Sequence, residues 1–347
     1  MRIRPAYFAI IFLWLAALSD QSISPASAQE AFFQGKTIRI IVGFSAGGGF
    51  DVYSRTIARH MGKHIPGSPS VLVENMPGAG SMIAANHLYN QAKPDGLTIG
   101  NWIGGLILQQ ALGAKGIAFD AMKFEWIGAP VRINNACLLA RKSGITSLQQ
   151  WMQSKTLVKI GAEAAGSTTS DIPRLLMKYT ELPLQLIEGY KGVADVRIAT
   201  EAGEVAGFCS SWEGTKTSWR SVLESKEASV ILQAVPQPHA DHPKAPLAID
   251  QIKSKEGREL FKLVVHDIGG TINRLYALSP GTPKDRVKIL QKAFQDTMKD
   301  PEFLAEAKKV RLDIDPLTGE EIDKTVAGVK NIPAASLATL RDILLPK

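Results

Sequence analysis

The sequence predicts an α/β protein of two domains built on open parallel sheets, and three observations carry that expectation. Short β-branched runs alternate with helical stretches through glycine-rich loops, the order that parallel sheets with covering helices require. A length of 347 residues exceeds the roughly 100–200 residues of one domain. The chain is 45% hydrophobic and 21% charged, enough apolar surface for a large core and far from disordered compositions. Its 30 glycines and 19 prolines are dispersed and follow no fixed period, which excludes solenoids and propellers.

The elements follow in order. Thr37–Val42 is a β-branched run of strand length, and Gly43-Phe-Ser-Ala-Gly-Gly-Gly-Phe-Asp51 joins it to a helix from Val52 to about Lys63. Ser70–Val73, Glu74-Asn-Met-Pro-Gly-Ala-Gly80 and a helix from about Ser81 to Gln91 repeat that order. Leu97–Ile99 is a third strand, with Gly100 as its expected end. Leu157–Ile160, a loop from Gly161 to Gly166, and a helix through Arg174 to Lys178 form a further unit. A strand before Ser211, another at Val230–Ala234, a proline-rich loop at Pro236–Pro246 and a strand at Arg274–Leu278 come next. Ser279-Pro-Gly-Thr-Pro283 is a stop and start signal, and helices are expected at Asp285–Lys299 and Pro301–Val310.

Residues 1–28 fit an export signal. Arg2 and Arg4 precede thirteen apolar residues, Ala6 to Leu18, and Ala26-Ser27-Ala28 offers a cleavage point. The apolar run is shorter than the roughly 20 residues that span a bilayer. Export makes nucleic acid an unexpected partner despite a net charge of +7, because the basic residues are scattered without interleaved aromatics. A mild positive excess favours the approach of an anionic small molecule. Cys137 and Cys209 can pair only if their α-carbons lie within about 7 Å; two buried thiols are expected.

Three glycine loops between a strand and a helix are the main candidates for chemistry. A helix N-terminus leaves N–H groups unpaired and carries partial positive charge, so a glycine that admits a ligand to the backbone makes an anion cradle. None of the loops matches a dinucleotide or phosphate-loop pattern, and no cofactor is expected. Gly43-Phe-Ser45-Ala-Gly47 matches G-x-S-x-G, so a secreted α/β hydrolase with Ser45 as nucleophile is the alternative reading, with Asp250 and His266 as nominal partners. No strand precedes Thr37 to supply an oxyanion-hole loop, which counts against it. His60 and His64, and His239 with His242, have metal-site spacings but no further ligands nearby in sequence, and solvated surface histidines are expected. Trp212 stands out because it follows a strand end.

Lys36–Asp51, Val73–Gly80, Lys93-Pro-Asp-Gly-Leu-Thr98 and Tyr190-Lys-Gly192 resemble the solute receptors of tripartite tricarboxylate transporters, the Bug receptors. The resemblance implies a periplasmic-binding-protein fold of type II, with residues 29–131 plus 237–347 as one domain and 132–236 as the other. It implies a periplasmic, non-enzymatic monomer that closes on an organic carboxylate and serves a membrane permease of one large and one small subunit. Its first carboxylate loop falls on Phe44, Ser45, Ala46, Gly47, Gly48 and Asp51, and its second on Pro77, Gly78, Ala79 and Gly80. The mid-chain loop falls on Gly161 to Thr168, with Ser167 and Thr168 as donors, but Ala162 replaces a serine and Glu163 is unusual there. Ser210, Ser211 and Trp212 stand where many members have aspartate and asparagine, and Arg274 where an aromatic residue is common. With Trp212 and Phe44 as flat walls and Arg274 on a distal carboxylate, the expected ligand is larger or more aromatic than a short hydroxy-diacid; the alternative keeps Trp212 in the core and Arg274 in a surface ion pair.

Overall fold

The computed structural model describes residues 32–345; the expected signal lies outside them. Two sheets organise the chain. The first has the strand order β11-β4-β10-β3-β1-β2, with β1 at Thr37–Val42, β2 at Ser70–Asn75, β3 at Thr98–Ile103, β4 at Glu125–Ala129, β10 at Arg274–Leu278 and β11 at Leu317–Thr318. The second has the order β7-β6-β8-β5-β9, from β5 at Asn135–Ala140, β6 at Val158–Gly161, β7 at Leu184–Ile187, β8 at Gly207–Ser211 and β9 at Ala228–Ala234. The chain leaves the first sheet after β4 and returns to it after β9, so two connections join the two lobes.

The sheets are mixed, which corrects the expectation of parallel ones. Strands β2, β1 and β3 are parallel, as are β7, β6 and β8. Strand β10 runs antiparallel to both β3 and β4, and β5 antiparallel to both β8 and β9. These two reversed strands are the ones inserted centrally, and every residue of each is buried. Strand β2, at an edge, instead alternates exposed and half-buried positions.

Strand β3 continues through Gly100 to Ile103 instead of ending there. A Cβ at Gly100 would stand 2.6 Å from Leu88 Cδ2, so this glycine lets the helix Met82–Asn90 lie close against the sheet. The helix Gly49–Met61 buries Tyr53, Ile57 and Met61 at intervals of four, and Asp51 in its first turn and Arg59 and His60 in its last complement the helix dipole. Among the described residues no helix is long and apolar enough to cross a membrane.

Cys137 and Cys209 form a disulfide, overturning the expectation of free thiols. They lie opposite each other in the β5–β8 ladder with α-carbons 3.9 Å apart, and only the pairing of strands distant in sequence brings them together. The bridge closes a loop of 72 residues, for which loss of unfolded-chain entropy stabilises by about 4 kcal/mol. A Cys137→Ala, Cys209→Ala double variant is expected to lose about that much in denaturant unfolding; an unchanged midpoint would show that the bridge does not constrain the chain.

Candidate functional site

The predicted loops meet where the two lobes face each other. At the first, Asp51 is the organiser. It accepts hydrogen bonds from Gly47 N (2.9 Å), Arg55 Nε (2.9 Å) and Asn75 Nδ2 (3.0 Å). Burial acts to raise its carboxyl, but the bonds from Arg55, Gly47 and Asn75 outweigh it and hold the group below the usual carboxylate range. Phe44 is buried against Phe50 with ring centroids 4.4 Å apart, so it is a core residue under the loop. Ala46 and Gly47 are exposed at the rim and Gly48 is buried, with the other lobe's Ala194 N within 3.9 Å of an added Cβ.

Ser45 bridges the lobes. Its Oγ donates to Asp195 at 2.6 Å, and its N–H donates to Lys191 O at 3.3 Å. No histidine is among its hydrogen-bond partners in the described residues, so the proton acceptor that a serine nucleophile requires is missing from its side. Losing this single bond in Ser45→Ala is expected to weaken closure by about 1 kcal/mol, roughly a fivefold loss of ligand affinity by calorimetry.

The second loop carries unusual backbone. Gly78, Ala79, Gly80 and Ser81 all have positive φ, at 141°, 46°, 58° and 69°, a conformation that costs energy at Ala79 and Ser81 and is concentrated at functional loops. Ser81 is fixed by a hydrogen bond from Ile103 N to its Oγ, and Gly80 lies where a Cβ would be 3.3 Å from Ala164 Cβ of the opposite lobe. Pro77 is half-buried beside it and Ala79 is exposed.

In the mid-chain loop, Ser167 is fully buried and caps the helix Thr168–Tyr179, accepting from Ser170 N and donating to Ala164 O at 2.6 Å. Its hydroxyl is therefore committed, unlike that of Thr168, which faces a small enclosed cavity. That cavity of about 20 Å³ lies between the lobes, lined by Gly49, Phe50, Ile103, Glu163, Thr168, Val193, Ser210, Ser211, Gly214, Asn273 and Arg274. It admits a water but no organic acid, since organic ligands occupy pockets of roughly 300 Å³ or more. The lobes must part to load it.

Arg274 dominates the cavity. It is 2% exposed, its guanidinium lies over the rings of Phe50 and Tyr53, and its Nη2 donates to Ser211 Oγ at 2.7 Å. Ser211 in turn caps the helix Trp212–Ser218. Its Nε and Nη1 have no partner among the described residues, and an unpaired buried donor is costly enough to demand an acceptor. Gly49 and Gly214 sit against Nη2, where a Cβ on either would come within 2.7 Å and 2.6 Å of it. Arg274 is thus a cleft residue, and the alternative of a surface ion pair does not arise.

Trp212 departs from expectation. Its indole N–H donates to Asp241 at 2.6 Å and its ring meets His242 edge-on, which turns it away from the cavity to line a separate pocket of about 670 Å³ with Lys216, Leu304 and Arg311. That pocket is larger, but Lys216 is paired to Asp313 at 2.6 Å and Arg311 to Glu224 at 2.6 Å, so neither cation has an unmet demand. His60 and His64 are not solvated either; their Nε2 atoms lie 2.6 Å from Glu306 and 2.8 Å from Asp300, and Lys63 occupies the space between Asp300 and Glu302.

Glu163 was visible in the sequence only as an oddity. It is 4% exposed and accepts from Thr169 Oγ1 at 3.0 Å. Burial pushes it up to about 7, with Thr169, the Val193 N–H and Arg274 opposing and Asp195 adding to the rise. Burial likewise pushes Asp171 up to about 7, and burial next to His239 pushes His242 down to about 4. A raised acid binds its proton more tightly folded than unfolded, so Glu163 and Asp171 stabilise most below about pH 4 and lose that contribution as pH rises through about 7. His242 has the opposite sense and loses stability as pH falls from about 6.5 toward 4. Thermal denaturation between about pH 5 and pH 8 is expected to show the melting point falling with pH, with a shallower slope in Glu163→Gln; identical slopes would remove Glu163 from this balance.

No family model matches the sequence. A UPF0065 protein of Cupriavidus necator is 43% identical over 75 residues, 22% of each chain, and one of Bordetella pertussis is 30% identical over 191 residues, 53% of this chain and 57% of its own. The chain thus spans little more than half the length of these curated relatives at most. The periplasmic binding protein BugD aligns with a TM-score of 0.71 at 20% identity over 90% of this chain and 99% of its own. MatC from Rhodopseudomonas palustris with bound malate aligns at 0.67 and 19% identity, over 89% and 99%. A further R. palustris protein, with adipate, aligns at 0.71 and 18%, over 90% and 99%. The chain has the two-lobed fold of these binding proteins.

Proposed function

We propose that the chain is an extracytoplasmic solute receptor of the tripartite tricarboxylate transporter type. It binds an organic carboxylate between lobes formed by residues 29–131 with 237–347 and by 132–236, and delivers it to a membrane permease of one large and one small subunit. One observation carries this reading: a buried guanidinium, Arg274, lines a cavity between the lobes, and its Nε and Nη1 have no partner among the described residues. A guanidinium is the side chain best suited to hold a carboxylate. The loops at Ala46–Gly49, apart from the Gly47 N–H that Asp51 takes, and at Gly78–Ser81 supply backbone donors, and Thr168, Ser210 and Ser211 supply hydroxyls from the second lobe.

Malate in MatC and adipate in the second R. palustris structure support the carboxylate class, and the periplasmic setting of BugD supports export through residues 1–28. The hydrolase alternative lacks support at Ser45, whose hydroxyl is given to Asp195. Phe50 is the aromatic side chain at the cavity, with Phe44 beneath it and Trp212 elsewhere, so the aromatic-walled ligand expected from sequence loses both walls named for it, and Phe50 alone remains.

A thermal-shift panel of organic carboxylates and ester substrates tests the reading, because a ligand that binds only the folded state raises its melting point by mass action. At least one carboxylate is expected to do so, with no ester turned over and no fluorophosphonate label on Ser45. Stoichiometric labelling, lost in Ser45→Ala, would install the hydrolase instead.

A further inference from the structure

We propose that Glu163 carries a proton in the cleft and that the receptor takes up its carboxylate together with that proton. The uptake rests on the receptor reading; the proton's place rests on a chain of buried hydroxyls inside the second lobe. Ser167 Oγ lies 2.6 Å from Ala164 O, and only the serine's own proton can fill that contact. Thr169 Oγ1 lies 2.8 Å from Ser167 Oγ and 3.0 Å from Glu163 Oε2, and it has one proton for the two. An ionised Glu163 takes that proton, which leaves none between the two hydroxyl oxygens. Ser167 and Thr169 are both fully buried, so solvent does not relieve the contact, and a buried polar contact without a proton is costly. A protonated Glu163 completes the chain: Oε2 donates to Thr169, Thr169 to Ser167 and Ser167 to Ala164 O. Thr169 also accepts from Glu163 N at 3.0 Å, and Ser167 from Ser170 N at 3.3 Å. With the proton present, both hydroxyls use their one donor and both lone pairs.

The surroundings agree. Glu163 is buried and lines the cavity that Arg274 also lines. Burial favours its neutral form and pushes it up to about 7. Asp195, from the helix Val193–Ala202, adds to that rise, while Thr169, the Val193 N–H and Arg274 from β10 oppose it. Asp171, on the helix that carries Thr169, is turned to Gly166 N at 2.9 Å. An anion that enters the cavity brings a further negative charge toward Glu163. Two like charges about 5 Å apart in a protein interior shift a proton equilibrium about a hundredfold. The proton comes from solvent and goes to Oε2, on the Thr169 side. At about pH 8 most unloaded copies have lost it and binding must restore it, whereas at about pH 6 it is already in place.

Two measurements on the mature protein test this. NMR of protein labelled at the glutamate carboxyl carbon follows Glu163 without ligand, its signal assigned by its loss in Glu163→Gln. A midpoint near about pH 7 is expected; one below about pH 5, with the ordinary glutamates, overturns the proposal. Calorimetry with malate, adipate and the best binder of the thermal-shift panel then counts protons, by comparing buffers of low and high ionisation enthalpy. Carboxylates are ionised at about pH 8, so any uptake belongs to the protein. The parent is expected to take up close to one proton per molecule bound at about pH 8 and little at about pH 6, with affinity falling up to about tenfold from pH 8 to pH 9. Glu163→Gln cannot ionise and is expected to bind with neither effect, although Asp171 titrates in the same range. Equal heats in both buffers, or an uptake that Glu163→Gln keeps, overturn the proposal and leave the receptor reading standing. Failure of every carboxylate to bind overturns the receptor reading and the uptake with it, while the NMR midpoint still decides the proton's place.

Discussion

Arg274→Met is expected to lower carboxylate affinity at least about a hundredfold while the protein still folds. Two hydrogen bonds to a charged group contribute about 1.5–3 kcal/mol each, and losing both removes more than two decades of affinity. Methionine fills the stem volume over Phe50 and Tyr53, so the loss is not one of packing alone. The variant also removes the through-space attraction of Arg274 on Glu213 and Glu163, and a lower unfolding midpoint is expected. Arg274→Lys keeps the charge but cannot offer the planar fork, and an intermediate affinity is expected. Calorimetry on folded samples checks all three; equal affinity in Arg274→Met would remove this residue from the site.

Gly105→Ala should separate binding from folding. The helix Gly105–Ala111 follows β3 in the first lobe, and a Cβ at Gly105 would stand 1.9 Å from the carbonyl oxygen of Gly166 in the second. That oxygen is backbone and cannot swing aside. Within its own lobe the alanine is harmless, since replacing glycine near a helix start with alanine stabilises by up to about 1 kcal/mol. The expected pattern is an unchanged or raised melting point with at least tenfold weaker ligand binding, read by denaturation and titration on the same sample. A variant that binds like the parent would show that the approach of Gly105 to Gly166 plays no part in closure.

How far the sequence could be read depended on where each residue's partners lie. Thr37–Val42 and Arg274–Leu278 were legible to the residue, the first as a β-branched run ended by Gly43 and the second as a short run ended by Ser279-Pro-Gly. Strands β4 and β5 were not read at all. Asn135-Ala-Cys-Leu-Leu-Ala140 is buried throughout, so it has no alternation, and a short apolar run alone does not distinguish strand from helix. Gly100 looked like a strand end because its actual task, admitting Leu88, is tertiary. The disulfide and the reversed directions of β5 and β10 depend on strand pairing that no local pattern encodes. At the site, the three glycine loops were found from type and position, and Arg274 as a departure from the family pattern. Gly49, Phe50, Ile103, Val193, Gly214 and Asn273 became cavity residues only through the meeting of the lobes. Trp212 was drawn off by Asp241, 29 residues away, a partner that sequence proximity does not suggest. Glu163 did carry a signal as a departure from the family pattern, but its place on the cavity with Arg274 is tertiary.

The most direct test of a carboxylate held between the lobes is a crystal structure of the protein grown with the best-binding carboxylate of the thermal-shift panel. The account predicts density between the lobes at Arg274, with the ligand's carboxylate at hydrogen-bond distance from the guanidinium and the cavity wider than the about 20 Å³ of this structure. Density in the pocket beside Trp212 and Lys216, or joined covalently to Ser45 Oγ, would contradict it.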